Sequence, residues 1–137
     1  MLESFPAIPE AEAAASIHVQ SESIRVLVTE PDPVSRGLIC SLLECEPNVI
    51  TECVDDSRLI VSIQESVPDI VILDAHTPAI RRARRWEALG VKSPLATIVT
   101  AYDPAVLTAF TSIAVDFLVK PFDVERFETA LDLAKID

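Results

Sequence analysis

The sequence predicts a doubly wound α/β fold, a five-stranded parallel sheet with helices on both faces. Three observations carry that prediction. Short runs of branched aliphatic residues recur along the chain and are almost continuously apolar, as in strands covered on both faces. Helix-length segments separate them, two opened by Asp followed by Pro, the pairing of an N-cap with a first-turn proline. The connections are short, so strand and helix alternate, the pattern of crossover units on a parallel sheet.

The first 22 residues stand apart. They hold Glu3, Glu10, Glu12 and Glu22 with no Lys or Arg, plus Pro6, Pro9 and an Ala-rich patch. Such a stretch buries too little apolar surface to fold, so residues 1–22 are expected to be a disordered acidic arm before a domain over 23–137.

Within the domain, Ile24–Thr29 is the first strand, and Asp32-Pro33 caps and opens a helix to about Glu44. Val49–Val54 is the second strand, and Asp56 or Ser57 caps a helix through about Ser66. Ile70–Leu73, bounded by Pro68 and by the loop to Pro78, is the third strand, followed by a helix within Ile80–Leu89. Leu95–Val99 is the fourth strand, and Asp103-Pro104 opens a helix to about Ser112. Val115–Val119 is the fifth strand, and Asp123 caps a last helix to about Lys135.

Composition excludes several classes. No apolar stretch is long enough to span a membrane, and no basic segment leads into an apolar one at the N-terminus, so neither a membrane anchor nor a signal peptide is expected. The net charge of −11 argues against non-specific nucleic-acid binding by the domain. Arg81–Arg85 holds four arginines, but a basic run without a readout element reads as a solvated helix face or a partner for the acidic arm. Cys40, Cys45 and Cys53 match no metal-ligand or disulfide spacing and are expected to be buried, reduced thiols of a cytoplasmic protein.

The chemistry-bearing residues gather at strand ends. In an open parallel sheet, ligands bind in the crevice beyond the carboxyl ends of the strands. There the sequence places Glu30 and Asp32 after strand 1, Asp74 after strand 3, Thr100 after strand 4 and Lys120 after strand 5. Clustered carboxylates suit Mg²⁺, and an ammonium with a hydroxyl suits phosphoryl oxygens. A carboxylate in such a setting is a plausible nucleophile for phosphoryl transfer. Glu30 and Asp32 also read as a loop acid and a helix cap. A phosphatase of the D-x-D-x-T kind is excluded, because Asp74 is followed at the second position by His76.

Four segments resemble the receiver domain of two-component response regulators: Val26–Pro33, Pro68–Pro78, Ile98–Tyr102 and Asp116–Asp123. The resemblance covers about residues 23–135 and is nearest to receivers that precede LytTR-type DNA-binding domains; it implies the flavodoxin-like receiver fold. It implies that Asp74 accepts a phosphoryl group from a histidine kinase, a phosphotransfer protein or a small phosphodonor. It implies that Lys120 contacts the phosphoryl oxygens across a cis Lys120-Pro121 bond, and that Thr100 and Phe117 form the switch pair. Ala101 matches a small residue that leaves room for the phosphoryl group. Mg²⁺ is implied as cofactor, held by Glu30, Asp74 and the backbone carbonyl of His76, with Asp32 as an auxiliary candidate. The implied output is a rearranged face of the fourth helix, fifth strand and fifth helix, with homodimerisation as one route. Such a chain is a switch in signal transduction and is not expected to be an enzyme.

Two departures qualify the resemblance. The family usually has two adjacent acids after strand 1, whereas this chain reads Glu30-Pro31, and weaker metal binding is expected. The loop after Pro78 lacks the usual glycine, so the following helix is expected to be irregular. The departures leave a second reading open, a receiver-fold interaction module that works without phosphorylation.

Overall fold

The computed structural model describes residues 23–78, 80, 86, 87, 90 and 96–136. The acidic arm, the Arg81–Arg85 run and most of the helix expected within Ile80–Leu89 lie outside the described residues.

Five parallel strands form one sheet in the order β2-β1-β3-β4-β5: β1 Ile24–Thr29, β2 Val49–Cys53, β3 Ile70–Asp74, β4 Ala96–Ala101 and β5 Asp116–Val119. The helices with described bounds are α1 Pro33–Glu44, α2 Leu59–Ser66, α3 Pro104–Leu107 and α4 Val124–Lys135. Among the described residues, no helix is long and apolar enough to cross a membrane.

Alternation along each strand divides the core in two. Val26, Val28, Ile70, Ile72 and Ile98 face one way and pack under α1 and α4, against Ile39, Leu43, Phe127 and Leu131. Leu27, Val71, Leu73 and Val99 face the other way, against Leu59, Ile63, Leu107 and Phe110. This is why the central strands read as unbroken apolar runs. Trp86 lies in the second core and donates its indole N–H to Thr97 Oγ1 at 2.8 Å.

Several boundaries differ from the sequence reading. β2 ends at Cys53, while β3 runs on through Asp74 because Asp74 pairs in register with Thr100. β4 extends to Ala101 and β5 begins at Asp116, and Leu95 lies outside the described residues. The segment after β2 opens as a 3-10 turn over Asp56–Arg58, with Asp55 as its N-cap residue rather than Asp56 or Ser57. The carboxylate of Asp56 accepts instead from Thr29 Oγ1 at 3.2 Å. The helix after Asp103 gives way to a 3-10 turn over Thr108–Phe110 rather than running to Ser112. α2 stops at Val67, whose left-handed backbone (φ 49°) is unusual for a β-branched residue. The next residue is Pro68, which disfavours the helical conformation in the residue before it.

Candidate functional site

The strand order places the site. From β1 the chain moves out to β2, then crosses to the other side of β1 for β3, so the connections from the carboxyl ends of β1 and β3 diverge. Glu30 lies just past the end of β1 and Asp74 ends β3. Both carboxylates are buried, at 2% and 5% exposure, which demands a counter-charge.

Lys120 supplies it. It follows β5 at a cis peptide bond with Pro121, and its backbone N–H donates to the carbonyl of Ala101. Its side chain, itself 2% exposed, donates to Asp74 Oδ2 at 2.6 Å and Glu30 Oε2 at 2.9 Å. Burial works against the ammonium charge, but the bonds to Asp74 and Glu30 outweigh it and hold the group above its ordinary 10.5. The second Glu30 oxygen accepts from the fully buried hydroxyl of Thr100 at 2.8 Å. Asp74, Glu30, Thr100 and Lys120, four of the residues picked out in the sequence, therefore form one connected cluster.

The remaining Asp74 oxygen, Oδ1, accepts from the backbone N–H of His76 at 2.7 Å. The His76 ring is exposed, with Nδ1 at 3.3 Å from the same oxygen. Phe117 is half-buried against the core that holds Leu107 and Phe110. It shares a shallow surface pocket with Val119, Pro121, Phe122, Asp123 and Arg126. Arg126 grips that strand end, donating to both oxygens of Asp116 and to the carbonyl of Phe117 at 2.7 to 2.9 Å.

Asp32 touches the cluster only through its backbone N–H, which donates to Glu30 Oε2 at 3.3 Å. Its carboxylate accepts from the backbone N–H groups of Val34 and Ser35, from Ser35 Oγ at 2.6 Å and from Tyr102 OH at 2.6 Å. The hydroxyl of Ser35, then that of Tyr102, holds its carboxyl down at about 2. The helix-cap role expected of Asp32 is formed.

Sequence reasoning passed over Tyr102, Ser35 and Arg36. Tyr102 joins the two sides of the site mouth, bonding Asp32 while its ring lies 4.7 Å from the Lys120 ammonium. Tyr102 lies one residue past the end of β4, where strand alternation no longer says which way a side chain faces. Arg36 donates to the carbonyl of Glu30 at 3.0 Å, a tertiary contact that no spacing announces. The thiols were also misread, since Cys45 and Cys53 are exposed and Cys40 only partly buried. Cys40 and Cys53 are 13 residues apart, a separation that matches no motif, yet α1 packs on β2 and brings them together.

The oxygens of Glu30 and Asp74 are of the hard type that Mg²⁺ takes, and Mg²⁺ is often held by one or two carboxylates plus water. By donor type these residues fit the ion. Among the described residues, however, no three His, Cys, Asp or Glu side chains gather as a metal group, consistent with Pro31 where a second acid would stand.

No protein-family model matches the chain. It is 32% identical over 111 residues to a response regulatory protein of Yersinia pestis, covering 79% of this chain and 47% of that protein. It is 28% identical over 115 residues to the sensory transduction protein LytT of Oceanobacillus iheyensis, covering 80% of this chain and 47% of that protein. The chain thus spans about half the length of these relatives. Its fold is that of the receiver domain of the sensor histidine kinase PA1611 from Pseudomonas aeruginosa, a structure with a magnesium ion in its active-site cleft. That match has a TM-score of 0.66 at 18% identity and covers 80% of this chain and 95% of that one.

Proposed function

We infer that this chain is a response regulator receiver domain, and from that premise we propose that it is switched by phosphorylation of Asp74. The observation that carries the proposal is the buried cluster at the carboxyl ends of the strands, in which Lys120 bonds Asp74 and both Lys120 and Thr100 bond Glu30. A carboxylate oxygen of Asp74 attacks the phosphorus of a phosphohistidine or a small acyl phosphate. The new O–P bond forms as the donor's P–N or P–O bond breaks, and the donor leaves with the electron pair. Lys120 neutralises the phosphoryl oxygens, and the Thr100 hydroxyl, released from Glu30, donates to one of them. Phosphorylation adds charge in a site of low dielectric, which biases a two-state equilibrium through Thr100 and Phe117. The face built from the helix after β4, β5 and the last helix is the proposed readout, with a second copy or an effector domain as partner.

Mg²⁺ is the proposed cofactor. Glu30, Asp74 and the His76 carbonyl would hold it, and it would supply charge neutralisation for the transferred group. The proposed phosphoryl source is a histidine kinase or phosphotransfer protein, the proposed location is the cytoplasm, and no turnover of an external substrate is proposed. Binding of nucleic acid by this domain is not proposed.

Incubation with acetyl phosphate and Mg²⁺, read by intact mass, is expected to add one phosphate to the wild type and none to Asp74→Asn. Equal labelling of the two proteins overturns the reading. Restoring the second acid should strengthen the metal side: Pro31→Asp is expected to raise Mg²⁺ affinity on the order of tenfold, about 1.4 kcal/mol. Titration followed by the fluorescence of Trp86 measures this, and an unchanged affinity shows that Pro31 is not what limits binding.

One observation favours a second reading. Lys120 and Thr100, the two donors for phosphoryl oxygens, are both engaged by Glu30. A domain in which Glu30 never yields them would act as an interaction module without phosphorylation. An unlabelled wild type in the experiment above is its expected result.

A further inference from the structure

We propose that Cys40 and Cys53 form a reversible disulfide that staples α1 to the edge strand β2. The sulfurs lie 2.8 Å apart, closer than unbonded sulfurs ordinarily pack. Cys40 sits in the third turn of α1 and Cys53 ends β2, so the two thiols face each other across a helix–strand contact. Cysteines whose side chains point apart need backbone movement before they can be joined, whereas these two sulfurs already approach each other. Cys45 caps the C-terminal end of α1, is exposed and takes no part in the contact, which makes it an internal control.

The environment assigns the order of events. Burial, followed by the hydrogen bond and charge of Cys53, pushes the Cys40 thiol up to about 12, so Cys40 keeps its proton. Cys53 is exposed and is the sulfur an oxidant reaches first. With a small disulfide such as oxidised glutathione, the Cys53 thiolate attacks one sulfur, forming a mixed disulfide and releasing one glutathione thiolate. The Cys40 sulfur then gives up its proton, attacks that of Cys53 and closes the intramolecular bond as the second glutathione leaves. The protein loses two electrons, the glutathione disulfide gains them, and the two thiol protons end on two glutathione molecules.

The bond closes a short loop and fastens the helix whose N-cap is Asp32, with no contact to Asp74, Thr100 or Lys120. The reduced full chain, treated with oxidised glutathione, is expected to lose two hydrogens in intact mass once any adduct on Cys45 is discounted. The Cys45→Ser variant should show that loss alone, and its melting temperature should rise on oxidation and fall again with a thiol reductant. Cys40→Ser should instead hold a stable glutathione adduct on Cys53, and Cys53→Ser should show no intramolecular bond. A persistent Cys53 adduct in the Cys45→Ser protein, with Cys40 still open to maleimide, overturns the proposal. So does a bond that peptide mapping assigns to Cys45.

Discussion

Lys120→Met is expected to destabilise the domain by roughly 3–5 kcal/mol at neutral pH, the cost of breaking a buried ion pair from one side. The physical reason is asymmetric. Methionine fills much of the same space, so little packing is lost, but Glu30 and Asp74 are left as two buried carboxylates sharing no cation. Their mutual repulsion, previously masked by the ammonium, adds to the desolvation of each. Glu30→Gln in the same background should recover part of the loss. Urea unfolding measures both effects, and an unshifted midpoint for the single variant refutes the account. In the wild type the pH dependence of this cluster lies at the alkaline end. The folded-state value of Lys120 is raised, so its contribution is complete below the ordinary 10.5 and is lost only as pH climbs through that higher value.

Phe127→Ala is expected to cost about 3–5 kcal/mol, the range for removing a large side chain from a packed core. Phe127 is 1% exposed in the core beneath α1 and α4 and stacks on Phe122, with ring centroids 6.0 Å apart. Phe122 belongs to the turn that follows Lys120-Pro121, so the two rings anchor the helix and the strand end that presents the lysine. Loss of this anchor is expected to reach the site: phosphorylation of the variant should slow even under conditions where it remains folded. Chemical denaturation with parallel labelling separates the two effects. A cost near that of a surface substitution, within about 0.5 kcal/mol, contradicts the packing argument.

The site was legible wherever local chemistry and strand position coincide. Asp74, ending an apolar run, needs only the rule that ligands bind beyond strand ends. Asp32 and Asp123 were legible as caps because the N-cap preference is set by residues adjacent in sequence. The boundaries after β2 and β4 were not, because 3-10 turns and short helices are set by how the chain settles on the sheet. Tyr102 was missed because a tyrosine at a strand end has no fixed meaning until the opposite loop is in place.

From the sequence alone came the layer order, the parallel sheet, the strand ends that matter and the gap at Pro31, since all follow from short-range periodicity and residue chemistry. Tertiary structure decided how those groups are paired. Glu30 reaches Thr100 across 70 positions of chain and Lys120 across 90, and Cys40 meets Cys53 only because α1 packs on β2. Periodicity tells a strand which way its side chains face, but burial tells a carboxylate which cation it must find. That second choice is settled by desolvation, which exists only once the fold has excluded water.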